Sequence, residues 1–161
     1  MDLTTEQTLQ HGVAAHNQGN LQKAERLYRT ILQVQPKHPD ANHNLGLVAT
    51  AMNQPEIALP LFKIAVEVDP NIEQFWLSYI EALIAGQQFD DAKRALKKGK
   101  KKGVSKEKLK ALTKKLMSVK KGKLSASAPS EVELQKLINH YQTGRYSDAE
   151  KLAILLVQQF P

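Results

Sequence analysis

The groups in this sequence able to bind a metal or move a proton near neutral pH are five histidines and the carboxylates. His11, His16, His38, His43 and His140 form no H-E-x-x-H pair and no other ligand spacing with an acid, the arrangement that would bring two imidazoles to one helical face around zinc. His11 and His16 stand five residues apart, so on a helix they diverge. The adjacent carboxylates Asp90-Asp91 open a helical stretch, where negative charge complements the helix dipole, and do not read as a proton-sharing pair. No G-x-G-x-x-G, G-x-x-x-x-G-K-[ST] or G-x-S-x-G occurs. With no cysteine there is no disulfide, no thiolate metal site and no thiol nucleophile. The sequence therefore predicts no catalytic residue, no metal and no cofactor, in a chain that is not an enzyme.

What the sequence does concentrate is charge. Lys93 to Lys123 holds fifteen Lys or Arg and one acid, Glu107, a net +14 that leaves −7 for the rest of a chain whose total is +7. This is a mildly acidic body with a basic segment, not a uniformly basic protein. Lys97, Lys98, Lys100, Lys101, Lys102, Lys114 and Lys115 form the candidate surface for an anionic ligand. Within the segment Ser105 reads as an N-cap, and Leu109, Leu112, Leu116 and Val119 recur at helical spacing, giving a basic amphipathic helix over 105–120. Three uses stand open: leucines packed on the preceding helices with lysines in water, lysines bound to acidic proteins, phosphates or nucleic acid, or a helix lying on a membrane or captured as a calmodulin-type target. Phe, Tyr and Trp are absent between 93 and 130, which removes the membrane anchors and the stacking platforms and disfavours nucleic acid. No apolar run approaches the roughly 18 residues of a membrane span. The N-terminus lacks the basic start and apolar stretch of a signal peptide. A cytoplasmic location is expected.

These side chains must be carried by helices. Thr5 to Asn17, Pro39 to Met52 and Glu73 to Ala85 have apolar residues at helical spacing, and so do Leu21 to Val34, Glu56 to Val68 and Phe89 to Lys102. Gly19-Asn20, Asn53-Gln54-Pro55 and Gly86-Gln87-Gln88 break the pattern as turns. Pro36 and Pro70 end the second and fourth of these helices, because proline lacks an N–H and restricts the residue before it. Six helices thus fall into three antiparallel pairs.

The pairs repeat. Ala24, Ala58 and Ala92 are 34 residues apart; Tyr28, Phe62 and Leu96 follow them by four, and Gly12 and Gly46 precede the first two by twelve. With Trp76, Pro36 and Pro70, these residues resemble the tetratricopeptide repeat, whose signature is W-x2-L-G-x2-Y, A-x3-F and P in a period of about 34 residues. The third unit departs from it, with Ile80 in place of glycine and Gly99 and Val104 in place of an apolar residue and proline. A fourth unit aligns Gly144, Tyr146, Ala149, Leu156 and Pro161 after an insertion. The resemblance implies an all-α solenoid of helix pairs whose first helices line a concave groove for an extended peptide. It places Gln10, Val13 and Asn17 in that groove from the first unit, and His43, Asn44, Leu47 and Ala51 from the second. The third unit would give Leu77, Ser78, Glu81 and Ala85, and the fourth Leu134, Gln135, Ile138 and Gln142. Family members that grip a terminal carboxylate do so with lysine, arginine and asparagine. The matching positions here are Leu9, Val13, Asn44, Gln74 and Ser78, of which only Asn44 fits. The amide ladder of O-linked N-acetylglucosamine transferases is kept in part, as Gln10, Asn44, Ser78 and Gln135.

The expected layout is three units at 5–38, 39–72 and 73–104, the basic helix 105–120, a flexible linker 121–129 and a fourth unit 130–161. The fourth unit is weakly similar to repeat arrays that precede glycosyltransferase or sulfotransferase domains in bacterial proteins. Leu152, Leu155 and Leu156 are expected to lie uncovered on its last helix, as in a piece of a longer array, and to favour a homodimer. The function expected is a protein-interaction scaffold. The alternatives are a substrate-recruiting arm of a larger transferase and an anion-binding lysine surface.

Overall fold

The computed structural model describes residues 3–126 and 129–160. Pro161 and positions 127–128 of the expected linker lie outside the described residues. Among those described there are nine helices and no strand: α1 (Thr5–Asn17), α2 (Leu21–Val34), α3 (Pro39–Ala51), α4 (Pro55–Val68), α5 (Glu73–Ala85), α6 (Phe89–Lys101), α7 (Lys106–Ala126), α8 (Glu131–Gln142) and α9 (Tyr146–Gln159). The seventh runs past Lys120 into the stretch expected to be linker. The chain divides into two compact units, Met1–Leu116 and Met117–Pro161, with the division within α7.

Local chemistry starts several of the helices. Thr4 caps α1 through a reciprocal box, its Oγ1 accepting from Gln7 N (3.2 Å) while its own N–H donates to Gln7 Oε1 (2.9 Å). Pro39 and Pro55 occupy first-turn positions of α3 and α4, where a missing N–H costs nothing, and His38 Nδ1 accepts from Ala41 N at 3.3 Å. Asp90 and Asp91 sit in the first turn of α6 beside Lys93 and Arg94.

Within the first unit, the repeat is a packing device. A Cβ on Gly12 would stand 2.5 Å from the Tyr28 ring, and one on Gly46 2.6 Å from the Phe62 ring. The glycines therefore let an aromatic from the second helix lie on the backbone of the first. In the third pair Ile80 is fully buried and Leu96 takes the aromatic position, so bulk moves from one helix to the other. One core cluster joins Ala15, Ala24, Tyr28 and Ile31 to Ala41, Leu45 and Val48; the next joins Ala49, Ala58 and Phe62 to half-buried Tyr79 and Ala82. Each pair thus buries its apolar face against the next. A hydrogen bond recurs with the same step: Asn42 Nδ2 donates to Pro36 O (3.0 Å) and Trp76 Nε1 to Pro70 O (2.8 Å). The Trp76 ring is core, 5% exposed.

The start of α7 continues the series. The first helices of the three pairs begin at Thr5, Pro39 and Glu73, and α7 begins at Lys106, close to one more repeat step. Leu109, Leu112 and Leu116 are buried while Lys106, Lys108, Lys110, Lys114 and Lys115 are exposed. The leucines are thus packed within the unit, as in the first of the three uses, and the exposed lysines stay open to an acidic partner.

In the second unit Ser130 caps α8 with a second reciprocal box to Glu133. Leu155 is exposed as expected, but Leu156 is 4% exposed and Leu152 half-buried, so only one of the three leucines stands open. Leu156 and Ala149 instead fill what this hairpin buries.

Candidate functional site

The first helices of the first unit leave most of the expected groove residues exposed or half-buried. Gln10, Val13 and Asn17 on α1 are exposed, with Gln10 Nε2 donating to Glu6 Oε1 at 3.1 Å. Asn44 and Leu47 on α3 are half-buried and Ala51 is exposed; on α5, Glu81 and Ala85 are exposed and Leu77 half-buried. Gln135 and Ile138, with Leu134 and Gln142, are exposed on α8 in the second unit.

Two expected groove residues are largely withdrawn. His43 is 5% exposed and Ser78 6%, with His43 Nε2 and Ser78 Oγ 3.0 Å apart across α3 and α5. The imidazole lies 4.8 Å from the Phe75 ring and 5.7 Å from that of Phe62. Burial lowers its pKa, opposed by the Asn44 side chain and the charge of Asp40. The pair is a polar pin between repeats and not an open recognition group. Register carried a signal of this, since Leu9 and Leu77 hold the position of His43 in the neighbouring units.

Ser78 does reach the floor of a cavity of about 220 Å³ with Leu47, Thr50, Phe62, Glu81, Ala82, Ala85 and Lys115. Its walls are α3, α4, α5 and α7. The hydroxyls are already engaged, Thr50 Oγ1 donating to Gly46 O at 2.9 Å. Lys115 Nζ stands 3.9 Å from Glu81 Oε1 at the rim. Lys115 was expected in the anionic surface and not in the groove; it comes here because α7 takes the next first-helix position. Lys97, Lys98, Lys100, Lys101 and Lys102 are exposed on and just after α6, and Lys114 on α7, with no acidic partner among the described residues. Among the described residues no three His, Asp or Glu converge as a metal site would need, and no helix is long and apolar enough to cross a membrane.

The helix pairs stack in one register as a repeat array. The tetratricopeptide repeat model matches residues 9–51 and 43–100, more than half of the chain, and the chain belongs to that family. A relative, the cellulose synthase 2 operon protein C of Komagataeibacter xylinus, is 34% identical over 77 residues, 48% of this chain. The match spans 6% of that protein's length. Among solved structures, the Sgt2 TPR domain of Aspergillus fumigatus has a TM-score of 0.66 and 24% identity, covering 79% of this chain and 86% of that one. The type III secretion chaperone SycD of Yersinia enterocolitica, in complex with a peptide of the translocator YopD, has a TM-score of 0.61 and 17% identity, covering 73% of this chain and 93% of that one.

Proposed function

We propose that this chain is a non-enzymatic scaffold whose first unit binds an extended peptide segment of a partner protein along α1, α3 and α5. The observation that carries the reading is half-buried Leu47 lining the 220 Å³ cavity, with half-buried Asn44 one turn earlier on the same helix. An amide such as Asn44 can give a peptide backbone one donor and one acceptor without regard to side chains. The cavity is smaller than the ~300–1,000 Å³ of small-molecule sites and fits one side chain. The complex of SycD with a YopD peptide supports the reading by likeness of fold. A cysteine-free chain suits a cytoplasmic scaffold. Screening a peptide array with the full chain and with Asn44→Ala and Leu47→Arg tests it. Selective binding is expected, weakened about tenfold by loss of a central amide or apolar contact. A hit list unchanged by both substitutions would place binding elsewhere.

A further inference from the structure

The two lysines that α7 turns toward α5 are not alike. Lys108 Nζ lies 2.6 Å from Glu73 Oε2 while Glu73 Oε1 accepts from Ser105 N at 2.7 Å, so both carboxylate oxygens are engaged. The Lys108 hydrogen bond and then the Ser105 N–H hold the Glu73 carboxyl below its usual value. That contact anchors the start of α7. Lys115, two turns on, meets Glu81 only at 3.9 Å, with both side chains 55% exposed. An exposed pair at that distance holds its lysine weakly. The offsets Glu73 to Lys108 and Glu81 to Lys115 are close to the repeat step, and His43 to Ser78 has the same offset. α7 thus lies beside α5 as α5 lies beside α3, and Lys115 takes the position that Leu47 and Glu81 hold on their own helices.

We infer that the groove selects a peptide with an apolar side chain for the Leu47–Phe62–Ala82–Ala85 cavity and an acidic residue next to it for Lys115, a choice that rests on the groove reading above. The cavity walls are aliphatic and aromatic, and its hydroxyls are spent on Gly46 O and His43. The charged groups at the rim are the Lys115 ammonium and the Glu81 carboxylate it loosely faces, and of the two the ammonium is the one that attracts an incoming acid. An incoming carboxylate exchanges for Glu81 at little loss, because the existing pair is long and solvated. Lys114 and Lys110 on the same helix stand exposed and raise the positive potential there. The first-helix face of α1, with Gln10, Val13 and Asn17, has no such charge, so the acidic residue belongs at the α7 end of the peptide.

The test uses the full chain and three synthetic peptides of one length, each with a central leucine flanked by glutamate, serine or lysine, followed by fluorescence anisotropy. The expected affinity order is glutamate, serine, lysine, with steps of about two- to fivefold that shrink as salt is added. Lys115→Glu is expected to reverse the order and Lys115→Arg to keep it. Lys97→Glu, on α6, is expected to keep it too, which separates a local contact from bulk charge; circular dichroism checks that each variant is folded. An order unchanged by Lys115→Glu, or equal binding of all three peptides, overturns the inference and leaves the groove standing. Failure of every peptide to bind sinks the groove reading and this one together.

Discussion

Tyr28 and Phe62 hold one position a repeat apart, each ring against a glycine of its partner helix, yet only one carries a hydroxyl. Tyr28 is fully buried, its hydroxyl has no hydrogen-bond partner among the described residues, and burial pushes its pKa to about 12. A buried hydroxyl left unpaired costs about 1–3 kcal/mol, and the neighbouring repeat shows that phenylalanine fits. Tyr28→Phe is therefore expected to stabilise the first unit by about 1 kcal/mol, read as a higher urea midpoint; a lower one would mean that the hydroxyl has found a partner. His43 argues in the other direction. Its folded pKa lies below the ordinary 6.5, so as pH falls the unfolded chain takes up the proton first. The stability this adds is present above about pH 6.5 and is lost as pH drops through the folded value. Denaturation midpoints should fall between about pH 7.5 and 5.5, and less steeply in His43→Leu/Ser78→Ala, where the pin is replaced by the leucine of the flanking registers. Equal slopes would assign the acid limb to other groups. The sequence named both residues of the pin but gave them to solvent, because register identifies a helix face without saying how closely the next helix covers it.

At the scale of elements, the repeat fixes backbone as well as side chains. Four turns put a residue in the left-handed region at the same repeat position: Gly19 (φ 74°), Asn53 (φ 57°), Gln87 (φ 56°) and Gly144 (φ 73°). Glycine and asparagine suit that conformation, and glutamine does not. In the third turn the glycine, Gly86, sits one residue early, as the helix cap. Gln87→Gly is expected to gain about 0.5–1 kcal/mol by relieving the strain, less the entropy glycine adds to the unfolded chain. Equilibrium unfolding monitored by circular dichroism measures it, and a loss of stability would show that the Gln87 side chain has a role its exposure hides. The six helices α1 to α6 were legible because apolar period, turn residues and proline stops agree on them. α7 was half legible. Its leucine stripe was plain, but it lacks the glycine and alanine landmarks, so its place as the next first helix of the stack was not read. Its run to Ala126 is not legible because Gly122 and the Ser-Ala stretch read as linker, while leucine, lysine and alanine there also favour helix.

On the scale of the molecule, the two units differ most in how much they bury. In the second, Ala149 and Leu156 are the buried apolar residues among those described, whereas Val132, Leu134, Ile138, Tyr141, Tyr146, Ile154, Leu155 and Val157 are exposed. Tyr141 and Tyr146 meet edge to face at 5.5 Å over a cavity of about 640 Å³ lined by Leu137, Ile138, Ala149 and Ala153. Ile138, Tyr141 and Ala153 hold the repeat positions of Leu47, Thr50 and Phe62, which in the first unit line a cavity with residues of the next first helix, α5. A helix hairpin with so little core is expected to gain stability when this face is covered, and apolar patches of several hundred Å² tend to be covered. A second copy offers the same face, and two such faces related by a twofold axis would bury one another as a four-helix layer. The expected outcome is a mass above the monomer by light scattering at micromolar concentration, with amide protection of α8 and α9 rising with concentration while that of α1 to α6 stays constant. Ile138→Glu and Leu155→Glu should each restore the monomer and lower protection in α8 and α9 alone. A monomeric mass, with protection in both helices indifferent to concentration and to Ile138→Glu, would show that no second copy covers this face.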